Sequence, residues 1–198
     1  MYSNNEHIDT FLNQLSSLQI DTTLLTTIRE NVKVLKLKPN TVLVSAGEVC
    51  QNTYYVLEGG FVCRYIDEES GNAKTINFYL NDLHPFMACV DSYFNQTPTQ
   101  CELRAVSHSV VLSMPKKQID ALLAESAALK QFYDLVVITA LVEENDLKLK
   151  IISYSSEKLY DYLLHHFSSV IQNVPSKYIA EFMGITAEWL SKLKKIRK

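Results

Sequence analysis

Residues 176–198 read S-K-Y-I-A-E-F-M-G-I-T-A-E-W-L-S-K-L-K-K-I-R-K. Ile179, Met183, Ile185, Leu190 and Leu193 recur at helical spacing and fall on the facing sides of two short helices that break at Gly184. Glycine supplies the positive φ that such a sharp turn requires. Ala180 sits where the helices cross, and Thr186 caps the second helix. With the inward face committed, Ala187, Glu188, Ser191, Lys192 and Lys195 are left pointing outward. Two helices on a tight turn are what a protein needs to lay one helix in the DNA major groove. Ala187, Glu188, Ser191, Lys192 and Lys195 are therefore the groove-reading candidates, with Thr186 and Lys194 completing the DNA-binding set, Lys194 at a phosphate. The plainer alternative is a helical hairpin that closes a domain.

Charge is distributed to match. From residue 176 onward there are six basic residues (Lys177, Lys192, Lys194, Lys195, Arg197, Lys198) against Glu181 and Glu188, a net of +4 in a chain whose total is −3. The remaining body thus carries −7. An acidic body with a basic end steers one surface toward polyanions.

The chain has 198 residues and 47% hydrophobic content, which suits one sizeable core with a small second domain. No apolar run approaches the ~20 residues of a membrane span. The N-terminus, M-Y-S-N-N-E-H-I-D-T, is polar and acidic rather than a signal peptide, so a cytoplasmic location without membrane attachment is expected. Cys50, Cys63, Cys89 and Cys101 have no C-x-x-C spacing, which points to reduced structural thiols. His7, His84, His108, His165 and His166 offer no spacing that would converge on a metal. Neither a metal, a cofactor nor a catalytic residue is predicted, and the chain is not read as an enzyme. Two alternatives stay open: a ligand-sensing or protein-interaction module with a vestigial hairpin, and a metal enzyme built on a small β-barrel.

Glycine and proline divide the chain. Four of five glycines precede residue 72, four of five prolines lie at or before residue 115, and none of either falls between Pro115 and Pro175. The front is turn-rich and the back is helical. Short helices are predicted at 6–18 and 21–30, the second capped by Asp21. Strands follow at 32–38, 41–44, 53–57, 61–66, 74–79, 102–106 and 110–114, with hairpin loops at Glu58-Gly59-Gly60 and Glu69-Ser70-Gly71-Asn72. This is an α+β chain: an antiparallel sandwich or barrel at 1–115, a long helix at 116–153, and a terminal helical domain at 154–198.

The long helix carries two apolar faces. Ala128, Gln131, Leu135, Ile138, Val142, Asn145, Leu149 and Ile152 form a seam at heptad spacing, and Leu129, Phe132, Tyr133, Val136, Val137, Ala140 and Leu141 form the other face. One helix with two apolar faces needs two partners. The β domain can cover one, and a second copy of the helix can cover the other as a parallel coiled coil, with Leu135, Ile138 and Val142 at the interface and Asn145 fixing register. A central helix buried within a monomer is the alternative. A supporting helix at 157–171 presents Leu159, Tyr162, Leu163, Phe167, Val170 and Ile171 on one side.

Short helices, a β-roll, a long helix and a helical hairpin, in that order, resemble the Crp/Fnr family of bacterial transcription regulators over the whole chain. The resemblance is carried by P-N-T-V-L-V-S-A-G-E at 39–48, Y-Y-V-L-E-G-G at 54–60, Gly71, and V-P-S-K-Y-I-A-E-F-M-G-I-T-A-E-W-L-S-K at 174–192, the last similar to short-tailed members from Bacteroidetes-type bacteria. It implies a double-stranded β-helix sensor roll, a dimerisation helix, a helix-turn-helix on duplex DNA, a homodimer, and RNA polymerase as a partner. Nucleotide-binding members use a Gly-Glu pair and an Arg-Ser/Thr pair for ribose and cyclic phosphate. Here Pro85-Phe86-Met87 replaces the first and Thr99-Gln100 the second. Asp91 and Arg104 are the nearby charges. The resemblance thus implies an effector other than cyclic AMP, in a pocket that Met87, Val90, Tyr93 and Phe94 make apolar and that Thr99 and Gln100 border. In the hairpin, Ala187-Glu188-Trp189-Leu190-Ser191-Lys192 stands where the family often has Arg-Glu-Thr-x-x-Arg. Glu188 can accept from cytosine and Lys192 can donate to guanine or phosphate, while Trp189 packs against the supporting helix or flanks the phosphate backbone.

Overall fold

The computed structural model describes residues 3–16 and 21–196. Two helices, α1 (Asn4–Ser16) and α2 (Thr22–Asn31), lead into eight strands: β1 (Lys33–Leu37), β2 (Val42–Val44), β3 (Asn52–Glu58), β4 (Gly60–Ile66), β5 (Ala73–Leu80), β6 (Phe86–Met87), β7 (Cys101–Ala105) and β8 (Ser109–Pro115). A short helix, α3 (Val90–Asn95), interrupts the strands. Then come α4 (Lys116–Glu125), α5 (Ala127–Ser153), α6 (Ser156–His166), α7 (Ser168–Asn173), α8 (Ser176–Met183) and α9 (Ala187–Ile196). Asp21 caps α2, its carboxylate accepting from the Thr23 amide. The end of the helix expected at 6–18 lies outside the described residues, as do Arg197 and Lys198.

The strands form two antiparallel sheets, ordered β1-β8-β3-β6 and β2-β7-β4-β5. Inward side chains of both sheets pack as one core, in which Val56, Phe61, Leu103 and Val111 are fully buried. The Asp67–Asn72 turn joins β4 to its neighbour β5, a true hairpin in which the Gly71 amide bonds the Asp67 carbonyl. Glu58-Gly59-Gly60 is different. β3 and β4 belong to separate sheets, so this turn carries the chain across the sandwich rather than closing a hairpin. A side chain at Gly59 would lie 2.3 Å from Ser109 Oγ, and its φ is +78°, so only glycine fits.

The two missed elements, β6 and α3, lie in the stretch between β5 and β7. β6 is a two-residue edge strand on β3, and its pairing (Tyr54 with Met87, Tyr55 with Phe86) is set by a segment some thirty residues away. The supporting helix expected as one piece is two. Phe167 leaves helical geometry at φ −129°, ψ 42°, ends α6 by bonding its amide to the Leu163 carbonyl, and lets α7 start in a new direction. Its ring stacks beside Tyr162, 5.8 Å between centroids, on the same side as the core formed by Leu159, Leu163 and Val170.

Candidate functional site

The terminal hairpin is built as the side chains dictate. Ile179, Ala180, Leu190 and Leu193 are buried between α8 and α9, and Gly184 turns the chain at φ +65°. The Gly184 amide caps α8 by bonding carbonyls of its last turn, and the Ile185 amide bonds the Ala180 carbonyl. Thr186 Oγ1 accepts from the Trp189 amide at 3.1 Å, capping α9. Thr186 and the Glu188 backbone amide hold the exposed Glu188 carboxyl below its usual range, the backbone bond being the larger cause. Trp189 faces α6, its indole Nε1 donating to Ser156 Oγ at 3.0 Å. What remains outward is one row: Thr186, Ala187, Glu188, Ser191, Lys192 and Lys195 are all exposed. Lys194 differs, being half-buried with its Nζ donating to Ser176 Oγ at 2.7 Å.

The hairpin does not hang free of the roll. α8 lies on the outer face of β4 and β5, where Phe182 meets Phe78 (ring centroids 4.8 Å apart) and Val62 is fully buried. Beside this contact, Arg64 makes a forked bond to Glu181, Nε to Oε2 at 3.2 Å and Nη2 to Oε1 at 3.1 Å. Arg64 Nη1 also donates to Glu102 at 3.0 Å, and Arg104 grips the same Glu102 through Nε (2.8 Å) and Nη2 (2.7 Å). Thr75 Oγ1 completes the cluster on Glu181 at 2.8 Å. Burial pushes the Glu102 carboxyl up, but the hydrogen bonds from Arg104 and Arg64 outweigh it and hold the group below its usual range. Arg104, a candidate for ligand charge in the sequence, is thus committed to an ion pair on the outer face.

Along α5, all eight positions of the heptad seam (Ala128, Gln131, Leu135, Ile138, Val142, Asn145, Leu149 and Ile152) are exposed. Leu135, Ile138, Val142 and Ile152 are 58–74% exposed, an apolar stripe uncovered by the described residues. On the opposite side Leu129 and Leu147 are buried, and Phe132, Tyr133, Val136 and Ala140 are half-buried against the roll. Val137 and Leu141, assigned to that face from the sequence, are instead 37% and 68% exposed. At 100° per residue they rotate onto the flank of the open stripe.

Among the described residues, the roll core is built of apolar side chains and cysteines with no charged member. Met87 and Tyr93 are buried in its core, whereas Phe94 and Gln100 face outward and Val90 is 58% exposed. Thr99 is buried and fully occupied: its amide bonds Glu48, its carbonyl accepts from Gly47, and its hydroxyl accepts from the Cys101 amide. These six residues therefore do not enclose one cavity. The open space lies next door, a cleft of about 430 Å³ between the roll and α5, with Phe86, Ala88 and Val90 on one wall and Phe132, Leu135, Val136 and Ala140 on the other. Asn77, His84, Glu143 and Glu144 supply its polar end. Burial pushes the Glu144 carboxyl up, partly offset by a hydrogen bond from Asn77. Burial lowers His84, against the opposing charge of Glu143 at 3.4 Å. Among the described residues, no lysine or arginine lines the cleft. Sequence reasoning placed Val90 at a pocket but missed the α5 wall, because the helix joins the roll only through tertiary packing.

A double-sheet roll, a long helix with one exposed apolar stripe, and a helical hairpin with one exposed row define the class. Residues 34–126 match the cyclic nucleotide-binding domain family. A Crp/Fnr-family transcriptional regulator from Eubacterium rectale is 14% identical, with a TM-score of 0.68 over 90% of this chain and 83% of that one. FixK2 from Bradyrhizobium japonicum gives 12% and 0.70 over 83% of each chain. The c-di-GMP responsive global regulator CLP of Xanthomonas campestris gives 12% and 0.65 over 89% and 92%. No curated protein matches the sequence. The roll matches the cyclic nucleotide-binding domain model, and the chain as a whole has the fold of the Crp/Fnr regulators. Among the described residues no helix is long and apolar enough to cross a membrane, and no group of His, Cys, Asp or Glu is arranged to hold a metal ion.

Proposed function

We propose that the protein is a sequence-specific DNA-binding transcriptional regulator that acts as a homodimer through α5. The observation that carries this reading is the exposed row Thr186, Ala187, Glu188, Ser191, Lys192 and Lys195 on a helix whose other face is wholly committed to α8 and α6. A helix presented in this way places its N-terminal side chains at base edges. The uncovered stripe of α5 supports the two-fold assembly, since a heptad seam of this length is what a parallel coiled coil buries. Lys195 is a free cation for phosphate; Lys194 can serve the same end once Ser176 releases it.

The effector is an uncharged or cationic small molecule seated against α5, not a cyclic nucleotide. A cyclic phosphate would enter either a filled apolar interior or a cleft whose ionisable groups among the described residues are Tyr79, His84, Glu143 and Glu144. Burying an anion without a cation partner costs several kcal/mol, about 3–5 where one member of a buried pair is missing. Calorimetric titration with cyclic AMP and cyclic GMP is expected to show no saturable heat; micromolar binding of either would refute this part.

The test of DNA recognition is selection of duplexes from a random pool by the purified protein. Recovered sites should be inverted repeats with half-site centres about 34 Å apart, or a multiple of one helical turn. An unpatterned pool would overturn the reading.

A further inference from the structure

The four cysteines, scattered in the sequence, meet inside the roll. Cys50, Cys63 and Cys89 are 1–4% exposed and share one core with the half-buried Cys101. The strand register explains it. Cys63 on β4 faces Leu103 on β7, so Cys101, two residues away, projects from the same side of the neighbouring strand. Cys89 Sγ points at the Cys101 carbonyl at 4.0 Å, and the Cys50 amide bonds Ser92 Oγ, which brings the β2–β3 loop to the segment that carries Cys89. Each thiol lies close enough to perturb the titration of the next: Cys50 and Cys89, Cys89 and Cys63, Cys63 and Cys101. None is in a disulfide.

We propose that this cluster is a two-electron thiol switch for hydroperoxides, entered at Cys101 and closed as a cross-strand Cys63–Cys101 disulfide. Cys101 is the member that solvent reaches. Its thiol is held below the usual range, chiefly by the Cys63 hydrogen bond, whereas Cys63 is pushed up by its hydrogen bonds to Cys101 and Cys89 and by burial. The thiolate of Cys101 attacks the hydroperoxide, breaking the O–O bond, giving a sulfenic acid and releasing an alcohol or water once the departing oxygen takes a proton. Cys63 sulfur then attacks the sulfenic sulfur, forms the S–S bond and expels water. Two thiols are oxidised, one peroxide is reduced, and a dithiol restores the resting state by exchange.

The position gives the switch an output. A disulfide needs Cα atoms within about 7 Å, while diagonal neighbours across a sheet stand about 7–8 Å apart, so closing it draws β4 and β7 together. A bond made under such constraint is the reducible kind. On the opposite face of these strands, Arg64 pairs in register with Glu102, one residue beyond each cysteine, and Arg64 is the residue that grips Glu181 of α8. Displacing the strands at 63 and 101 displaces the clasp on the hairpin. The thiol chemistry is independent of DNA binding; only its regulatory meaning rests on the proposed function.

The full chain is treated with hydrogen peroxide, quenched with an alkylating reagent and mapped by mass spectrometry. The expected product has two alkylated thiols fewer than the reduced protein and a Cys63–Cys101 cross-linked peptide that dithiothreitol removes. Cys101→Ser should slow the reaction by about tenfold or more, Cys63→Ser should halt at a sulfenic acid on Cys101 that dimedone traps, and Cys50→Ser should oxidise like the wild type. Hydrogen exchange on the oxidised wild type, which requires no variant to fold, should show amides of α8 losing protection. A wild type that loses no thiols, or one cross-linked through a different pair, overturns the switch; unchanged exchange in α8 with the disulfide formed overturns the coupling.

Discussion

The two faces of strands β4 and β7 have opposite chemistries. Phe61, Cys63, Leu103 and Ala105 point inward to an apolar, almost solvent-free core; Arg64, Glu102 and Arg104 point outward as an ion-pair cluster in which Arg64 also grips Glu181 of α8. In a roll of this kind the inward face is where a charged ligand would need its partners. This chain has placed those charges outside, where they tie the roll to the hairpin. The difference shows that the sheet joins roll to hairpin as well as enclosing a core, and that Arg64 is the charged link between the two.

That contrast can be broken from either side. The inner face should be the more costly to disturb: Leu103→Ala, fully buried, is expected to destabilise the protein by about 3–5 kcal/mol in chemical unfolding, from lost transfer energy and the cavity left behind. On the outer face, Arg64→Ala leaves Glu102 and Glu181 without their shared cation, at a cost on the order of 2–3 kcal/mol. It should also raise hydrogen exchange in α8 before the roll itself unfolds. An Arg64→Ala protein whose α8 amides stay as protected as the wild type's would show that the apolar Phe78–Phe182 contact alone holds the hairpin.

Acid should act on the outer face in the same direction. The folded-state carboxyl of Glu102 lies below its unfolded value, so its contribution is present above the unfolded pKa of about 4.3 and is lost as pH falls through the folded one. Glu144 has the opposite sign. Its carboxyl is raised by burial, so its stabilising share is complete below the unfolded value and disappears as pH rises through the folded value. Glu144→Gln should therefore raise the melting temperature at neutral pH while Glu102→Gln lowers it, and melts of the two variants across pH 3–7 check the opposed slopes. A smaller effect is expected at the turn: Gly184→Ala, at φ +65° in open space, should cost about 1 kcal/mol from backbone strain alone.

The hairpin was legible because its determinants are local. Gly184, Ala180, Thr186 and five apolar positions within fifteen residues prescribe two helices, a turn and one exposed row, and each takes that place. The α5 seam was legible for the same reason, although helical periodicity alone misassigned Val137 and Leu141, which lie on the border between faces. What escaped depends on distant pairing. Glu58-Gly59-Gly60 has a hairpin's composition but joins two sheets, since β3 takes β8 and β6 as partners and β4 takes β5 and β7. No window of sequence shows Cys63 beside Cys101, Arg64 beside Glu181, or the α5 wall of the cleft. Spacing along the chain pointed to scattered structural thiols; the strand register puts Cys63 and Cys101 on one side of neighbouring strands, in the same core as Cys50 and Cys89.

The central claim, that a two-fold protein reads DNA through α9, is tested most directly by titrating the wild type and a Leu135→Glu, Val142→Glu double variant onto a duplex over a range of salt, with sedimentation of both proteins. The wild type should sediment as a dimer and bind with an affinity that falls steeply as salt rises, losing about one unit of slope per phosphate contact removed, as in Lys195→Ala. The double variant should be a monomer with folded spectra and far weaker binding. A wild type that is monomeric and binds DNA as well as the double variant, or that binds no duplex at low salt, would contradict the account.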